Sequence, residues 1–590
     1  MNPEATPQTG AGLPAVAPSV TAELVAALTP RLRKRLDAGI AKLAGRPVVR
    51  DGDTVRLAVD DDTDLVLHAP GSTVTRADAI RCGCLLAPDC LHRAAVASAA
   101  PIADTDTVAV RQDSTTVADD APEPPAAQET AAASKTAATP PQTAAARAVH
   151  DAAAAVLEAG TDGAGAVLQA ALLRAAHTAR LAGLHRAAAT SVSVVTALRA
   201  GRSADPAFRL ADLVAALRDV LSVAHRLRHA TGAELDMLRG TARQPYRPDG
   251  ALRLYGLFSE PVLTASGHAG AVTWTADAEG RLYQVSDVAP GGAGRATGAA
   301  DRTVRIGDTA LTHRELSRAG LAVTGATVSP TGRLGAGAGV RAVRASGADW
   351  RAEPLDRLWA VPVTEQVAGA QAGGPGLLFL EVTLVGTAAE AAGACLLAEC
   401  GGVLVRLTAA HDDPALAYRD NLRLLTAARG SRLRIVARLA AAPHARALLL
   451  AAEHPTVPGA RVDLGLDRLQ RVDLPATGAT RQQTVPTPEE APVHLLRRRV
   501  QQAVAGGRRV LSFPGDTAAD VRRLGRAGLA TAGELLEELH AAAAERSRDV
   551  FGRLLPADPD RFARAWLAAA RYTEELDRAL CVAAWSGEVE

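Results

Sequence analysis

Apolar residues recur at every third or fourth position through Leu24, Leu28, Leu32, Leu36, Ile40 and Leu43, which predicts an amphipathic helix or pair of helices. Thr29-Pro30 interrupts the run. A capping threonine followed by a proline suited to the first helical position predicts a break there. Val55, Leu57 and Val59 then alternate with polar residues in TVRLAV, and DLVLHA (64–69) follows an aspartate-rich turn, the pattern of a β-hairpin. Residues 146–245 return to helical periodicity, in VLQAALLRAAHTARLAGLHRAA and FRLADLVAALRDVLSVAHRLRHA.

Residues 246–485 read as β-rich. GAVTWTADAEGRLYQVSDV (270–288) predicts a hairpin turning at Asp277 to Gly280. Between 376 and 452 the pattern runs through three strands, a helix and two strands, an order found in oligonucleotide-binding-type barrels. From 486 to 590 the chain is helical again. Residues 1–18 and 101–145 are rich in Ala, Pro and Thr and lack aromatic residues, so we expect a disordered start and a flexible linker. The expected architecture is α+β and multidomain: an N-terminal helix with a small ββα unit at 19–100, a helical middle, a barrel-like β region and a helical C-terminal region.

Composition narrows the classes of function. A chain of 590 residues needs more than one core. It has no apolar run long enough to span a membrane and no secretory pattern at its start, so the cytoplasm is the expected location. Six cysteines, three of them clustered, do not form a disulfide framework. A formal net charge of +1 selects no polyanionic partner. Lys34, Lys42 and Lys135 are the only lysines among 65 basic residues. With the abundance of alanine, that points to a high-GC bacterial genome and lowers the information in any arginine cluster. Aromatic residues make up only 3%, which disfavours base-stacking surfaces.

The densest chemistry lies in RCGCLLAPDCLHR (81–93). Cys82, Cys84, Cys90 and His92 offer three thiolates and an imidazole, the donor set of a closed, tetrahedral structural zinc site. Gly83 is expected to let the backbone turn tightly between the first pair. Pro88-Asp89 is expected to turn the chain before Cys90, which opens a helix from its non-helical entry position. The arrangement C-x-C-x(n)-C-x-H, after a hairpin and before a short helix, resembles the SWIM zinc finger. The whole layout, with GLFSEPVLTASGHAGAVTWTADAEGRLYQVSDVAPGG at 256–292, is similar to long actinobacterial SWIM proteins. The resemblance implies one structural Zn2+ held by those four residues, and binding to DNA or to protein. It also implies a partnership with MoxR-type AAA ATPases or von Willebrand A-domain proteins.

Charge bears on that choice. From Arg46 to Arg93 six arginines face eight aspartates, a poor basis for holding phosphates. Arg31, Arg33, Lys34 and Arg35 could supply a basic flank to the finger. A second candidate nucleic-acid surface comprises Arg497, Arg498, Arg499, Arg508, Arg509, Arg522, Arg523 and Arg526, within a loose helix-hairpin-helix pattern at 520–539. No phosphate-binding loop, H-E-x-x-H helix or G-x-S-x-G elbow is present. Cys395 and Cys400 read as buried structural cysteines. The expected function is therefore a non-enzymatic interaction protein, with a protein partner favoured over DNA.

Overall fold

A computed structural model describes residues 12–103, 137–475 and 492–587, except 44, 61–62, 207, 242–245, 265–267, 308, 338, 391–392, 514, 546, 548, 554 and 556. The architecture is mixed α+β, and the chain divides into two compact units. One comprises Met1–Arg243 with Ala491–Thr573, the other Gln244–Glu490 with Glu574–Glu590.

In the first unit the expected hairpin forms the middle of a four-stranded antiparallel sheet, in the order Val48–Asp51, Thr54–Asp60, Thr63–His68 and Ile80–Cys82. Strict alternation places Val55, Leu57, Val59, Leu65 and Leu67 inside and Arg56, Asp60 and Asp64 outside. Against the buried face pack the helix Leu91–Ala99 and the N-terminal helix Pro18–Ala27. The break expected at Thr29-Pro30 is present, with short helices Pro30–Arg33 and Leu36–Leu43 beyond it.

Order begins earlier than the expected disordered tail allows. Ala15–Val16 pairs in parallel with Thr73–Val74, and Val16 is buried in the same core as the four-stranded sheet. The expected linker also ends sooner. Its central residues, 104–136, lie outside the described residues, but Pro140–Gly163 is a helix. Thr139 caps it reciprocally with Gln142, whose N–H donates to the threonine hydroxyl while its side chain accepts from the Thr139 N–H.

The middle helices and the C-terminal helices, expected as separate regions, share one core. Leu157, Leu172, Leu217 and Leu221 pack in the same cluster as Leu496, Val500, Leu536 and Trp566. The Trp566 indole N–H donates to the Val500 carbonyl at 3.0 Å. Two glycines permit the junction. Gly160 and Gly507 both have positive φ, 69° and 71°, and a Cβ on Gly160 would lie 2.3 Å from the Gly507 nitrogen.

The second unit begins with a five-stranded antiparallel sheet in the order Arg341–Ala345, Gly320–Val328, Arg247–Leu263, His268–Ala276 and Leu282–Pro290. Its last two strands are the expected 270–288 hairpin. Asp277 closes the turn, its side chain accepting from the N–H groups of Glu279 and Arg281 at 3.0 and 2.9 Å.

A barrel follows. Leu377–Glu390 pairs with both Gly393–Cys400 and Arg432–Leu439. Val403–Ala409 adds to Gly393–Cys400, and Arg446–Glu453 adds to Arg432–Leu439. A parallel pairing from Arg406↔Arg446 to Ala409↔Leu449 then closes the ring. The helix Tyr418–Leu425 stands between the third and fourth of these strands, the order expected from the sequence.

Candidate metal centre

The sheet and one helix deliver the four expected ligands to one point. Cys82 ends the strand Ile80–Cys82, opposite Leu65. The Gly83 N–H donates to the Asp64 carbonyl at 3.1 Å, carrying the ladder one residue further before the chain leaves the sheet. The Ala87 N–H donates back to the Cys84 carbonyl at 3.1 Å and closes a turn over Leu85-Leu86. Cys90 occupies the cap position of the helix Leu91–Ala99 in extended conformation, φ −97° and ψ 156°. His92 then falls in the first helical turn. The expected role of Cys90 at the non-helical entry holds.

The expected role of Gly83 does not hold. A Cβ there would meet the Asp64 backbone only at 3.9 Å, an ordinary contact. The tight turn is made by residues 84–87 instead, and glycine is not sterically required at 83.

The ligand atoms of Cys82, Cys84, Cys90 and His92 all lie within 4.8 Å of one another. Cys82 Sγ and His92 Nδ1 are 3.6 Å apart. Tetrahedral zinc with ordinary Zn–S and Zn–N lengths requires a sulfur–nitrogen separation of about 3.6 Å, so this pair stands at the spacing that ion needs, and the donor types are those it takes. The thiols also perturb one another. Burial, together with the neighbouring thiols, pushes Cys82 up to about 12. Burial and the adjacent Cys84 raise Cys90 as well. Burial also opposes ionisation of Cys84, yet the N–H groups of Leu86 and Ala87 and the flanking thiols bring its pKa below the usual thiol value. Crowded thiols that resist joint ionisation are an environment a divalent cation relieves. With all four donors from the chain, the set is that of a structural site.

One residue that sequence reasoning passed over organises the centre. Arg93, next to the last ligand, is 7% exposed. Its guanidinium donates to the Ile80 carbonyl at 2.6 Å and to the carbonyls of Pro88 and Ala77. It thereby ties the helix to the strand bearing Cys82 and to the loop leading into Cys90. Its only signal in the sequence is its position directly after the C-x-H pair.

The candidate nucleic-acid residues do not form one surface of free cations. Arg508 is buried, pairs with Glu158 at 2.7 Å and donates to the carbonyls of Ala542 and Asp558. Arg499 bonds Gln502 and Asp520, and Arg33 donates to the Ala26 carbonyl at 2.6 Å. These three serve the fold. Arg497 is half-buried. Arg31, Lys34, Arg35, Arg498 and Arg509 are exposed, as are Arg522, Arg523 and Arg526 on the helix Thr517–Arg526. That helix and Ala530–Ala544 flank the turn at Gly528. Cys395 and Cys400 are buried strand residues of the barrel, as expected.

Compared with known proteins, the chain matches no family model, no curated protein and no solved structure. Among the described residues no helix is long and apolar enough to cross a membrane.

Proposed function

We propose that this protein is a non-enzymatic adaptor whose N-terminal module is a SWIM-type finger folded around one structural zinc ion. The observation that carries this reading is the convergence of Cys82, Cys84, Cys90 and His92 from a strand end, a turn and a helix start. Such a set binds the ion strongly and leaves it no substrate position, so its use is architectural. Cytoplasmic location belongs to the same reading and rests on the sequence pattern, whereas a MoxR-type ATPase or von Willebrand A-domain protein as partner rests on the resemblance.

Protein is the favoured partner class because the finger's exposed charges are mainly acidic: Asp51, Asp53, Asp60, Asp64 and Asp89 stand against Arg46, Arg56 and Arg81, while Arg76 is bonded to Asp78. The barrel's connectivity supports an OB-like reading, but fold alone assigns no function. Its rings, Phe379 and Tyr418, are both buried and offer no base a stacking surface.

DNA binding is the second reading, supported by the exposed Arg522, Arg523 and Arg526 on one helix. Anisotropy with labelled single- and double-stranded DNA, at low and near-physiological salt, separates the two. The adaptor reading expects no tight binding at low salt. Binding that weakens steeply with salt and is lost in Cys90→Ser would replace it with the DNA reading.

A further inference from the structure

The loop between the second and third candidate ligands is apolar and outward-facing. Leu85 is fully exposed at 103% and Leu86 is 63% exposed, and Ala87 and Pro88 beside them are exposed too. The sheet behind them buries Leu57, Leu65 and Leu67 almost completely. Four consecutive exposed apolar residues are a defect in a folded surface unless something uses them. Single exposed leucines need no explanation, but a contiguous tip does.

We propose that Leu85-Leu86-Ala87-Pro88 is the docking tip of the finger, inserted into an apolar pocket rimmed by arginine or lysine on a partner protein. The proposal rests on the adaptor reading above and specifies its contact. Two observations support it.

The tip is held in place. Its ends run into Cys84 and Cys90, the Ala87 N–H bonds the Cys84 carbonyl, and buried Arg93 donates to the Pro88 carbonyl. A tip fixed in this way loses little conformational freedom on binding.

Its surroundings are acidic. Asp89 lies in the loop, Asp64 flanks Gly83, and both are exposed. Three thiolates around one divalent ion would add a further negative charge. Arg81 is the exposed cation on the same stretch. This balance repels phosphate backbones and anionic lipid surfaces, and it is complementary to a cationic rim around an apolar pocket.

The test uses the full-length, zinc-loaded chain carrying a photo-crosslinking amino acid at position 86, with Thr75, also exposed on the finger, as the control position. A protein crosslinked in the native host from 86 and not from 75 is purified and titrated by calorimetry. It is titrated against wild type, against Leu85→Ser with Leu86→Ser, and against Asp64→Asn with Asp89→Asn. The expected result is a loss of about tenfold or more in affinity for the serine pair, at unchanged zinc content and circular dichroism. A smaller loss for the asparagine pair, and weakening with salt, should accompany it.

Equal affinity of wild type and the serine pair would overturn the docking tip and leave the adaptor reading standing. No protein crosslink specific to 86 would overturn the tip as well. Duplex DNA, or phosphatidylcholine vesicles containing phosphatidylglycerol, are run in parallel. Binding of either that depends on Leu85 and Leu86 would overturn the tip as a protein contact, and the DNA result would overturn the adaptor reading with it.

Discussion

The guanidinium of Arg93 donates to the carbonyl of Ile80 at 2.6 Å, so the residue after His92 is fastened to the strand that ends in Cys82. The same group holds the Pro88 and Ala77 carbonyls. Arg93→Ala should therefore loosen the metal centre without removing a ligand. Leaving buried carbonyls without their donor should cost about 2–4 kcal/mol of local stability. Zinc affinity, measured by competition with a chromophoric chelator, should fall about tenfold or more. Unchanged affinity would mean that the ligands hold their positions unaided.

Removing the metal should unfold the finger and spare the barrel. Zinc binding in finger peptides supplies roughly 10–16 kcal/mol of folding free energy. Hydrogen exchange after chelation, or in Cys90→Ser, should show lost protection in Thr54–Asp60, Thr63–His68 and Leu91–Ala99. Protection in Leu377–Glu390 should persist. Retained protection in the finger would show that the helices packed on its sheet suffice to hold it.

Gly507, like Gly160, is an exacting position in the helical core. Its φ is +71°, and a Cβ there would lie 2.4 Å from the Glu158 carbonyl oxygen. Gly507→Ala combines strain with a backbone clash and should destabilise the first unit by at least about 2 kcal/mol. Gly525→Ala is the control, since nothing lies within 4 Å of a Cβ at that helical position. Thermal unfolding of both variants reads the difference.

His313 makes the second unit sensitive to acid. Its side chain is fully buried, Nδ1 lies 2.7 Å from the Thr273 hydroxyl, and burial lowers its pKa to about 4. The unfolded chain takes up this proton near the ordinary histidine pKa of about 6.5, whereas the folded chain resists it. Stability should therefore be complete above about 6.5, fall as pH drops, and stop falling below about 4, a loss on the order of 3 kcal/mol. Unfolding of His313→Gln should be flatter with pH across that window than unfolding of wild type. An identical slope would place the acid sensitivity elsewhere.

Local pattern was legible where it was strong. Alternation located Thr54–Asp60 and Thr63–His68, and cysteine spacing located the candidate metal cluster, because both signals lie within a few residues. The strand–helix order located the barrel for the same reason. The long strand Arg247–Leu263 carries Pro248, Gly250 and Pro261, which mask its periodicity, and it did not stand out. Helical periodicity shows which face is buried but not against what, so the union of Leu157 and Leu172 with Leu496 and Trp566 could not be read from it. Arginine counts misled at Arg508 because a cation's partners, here Glu158 and two carbonyls, come from distant parts of the chain.

The measurement we would make first is zinc K-edge X-ray absorption on the full-length protein, with metal content determined on the same sample. One zinc per chain, with three sulfur scatterers at about 2.3 Å and one nitrogen at about 2.0 Å, is the shell that Cys82, Cys84, Cys90 and His92 should give. Substoichiometric metal, or a shell dominated by oxygen, would remove the structural zinc centre and the adaptor reading built on it.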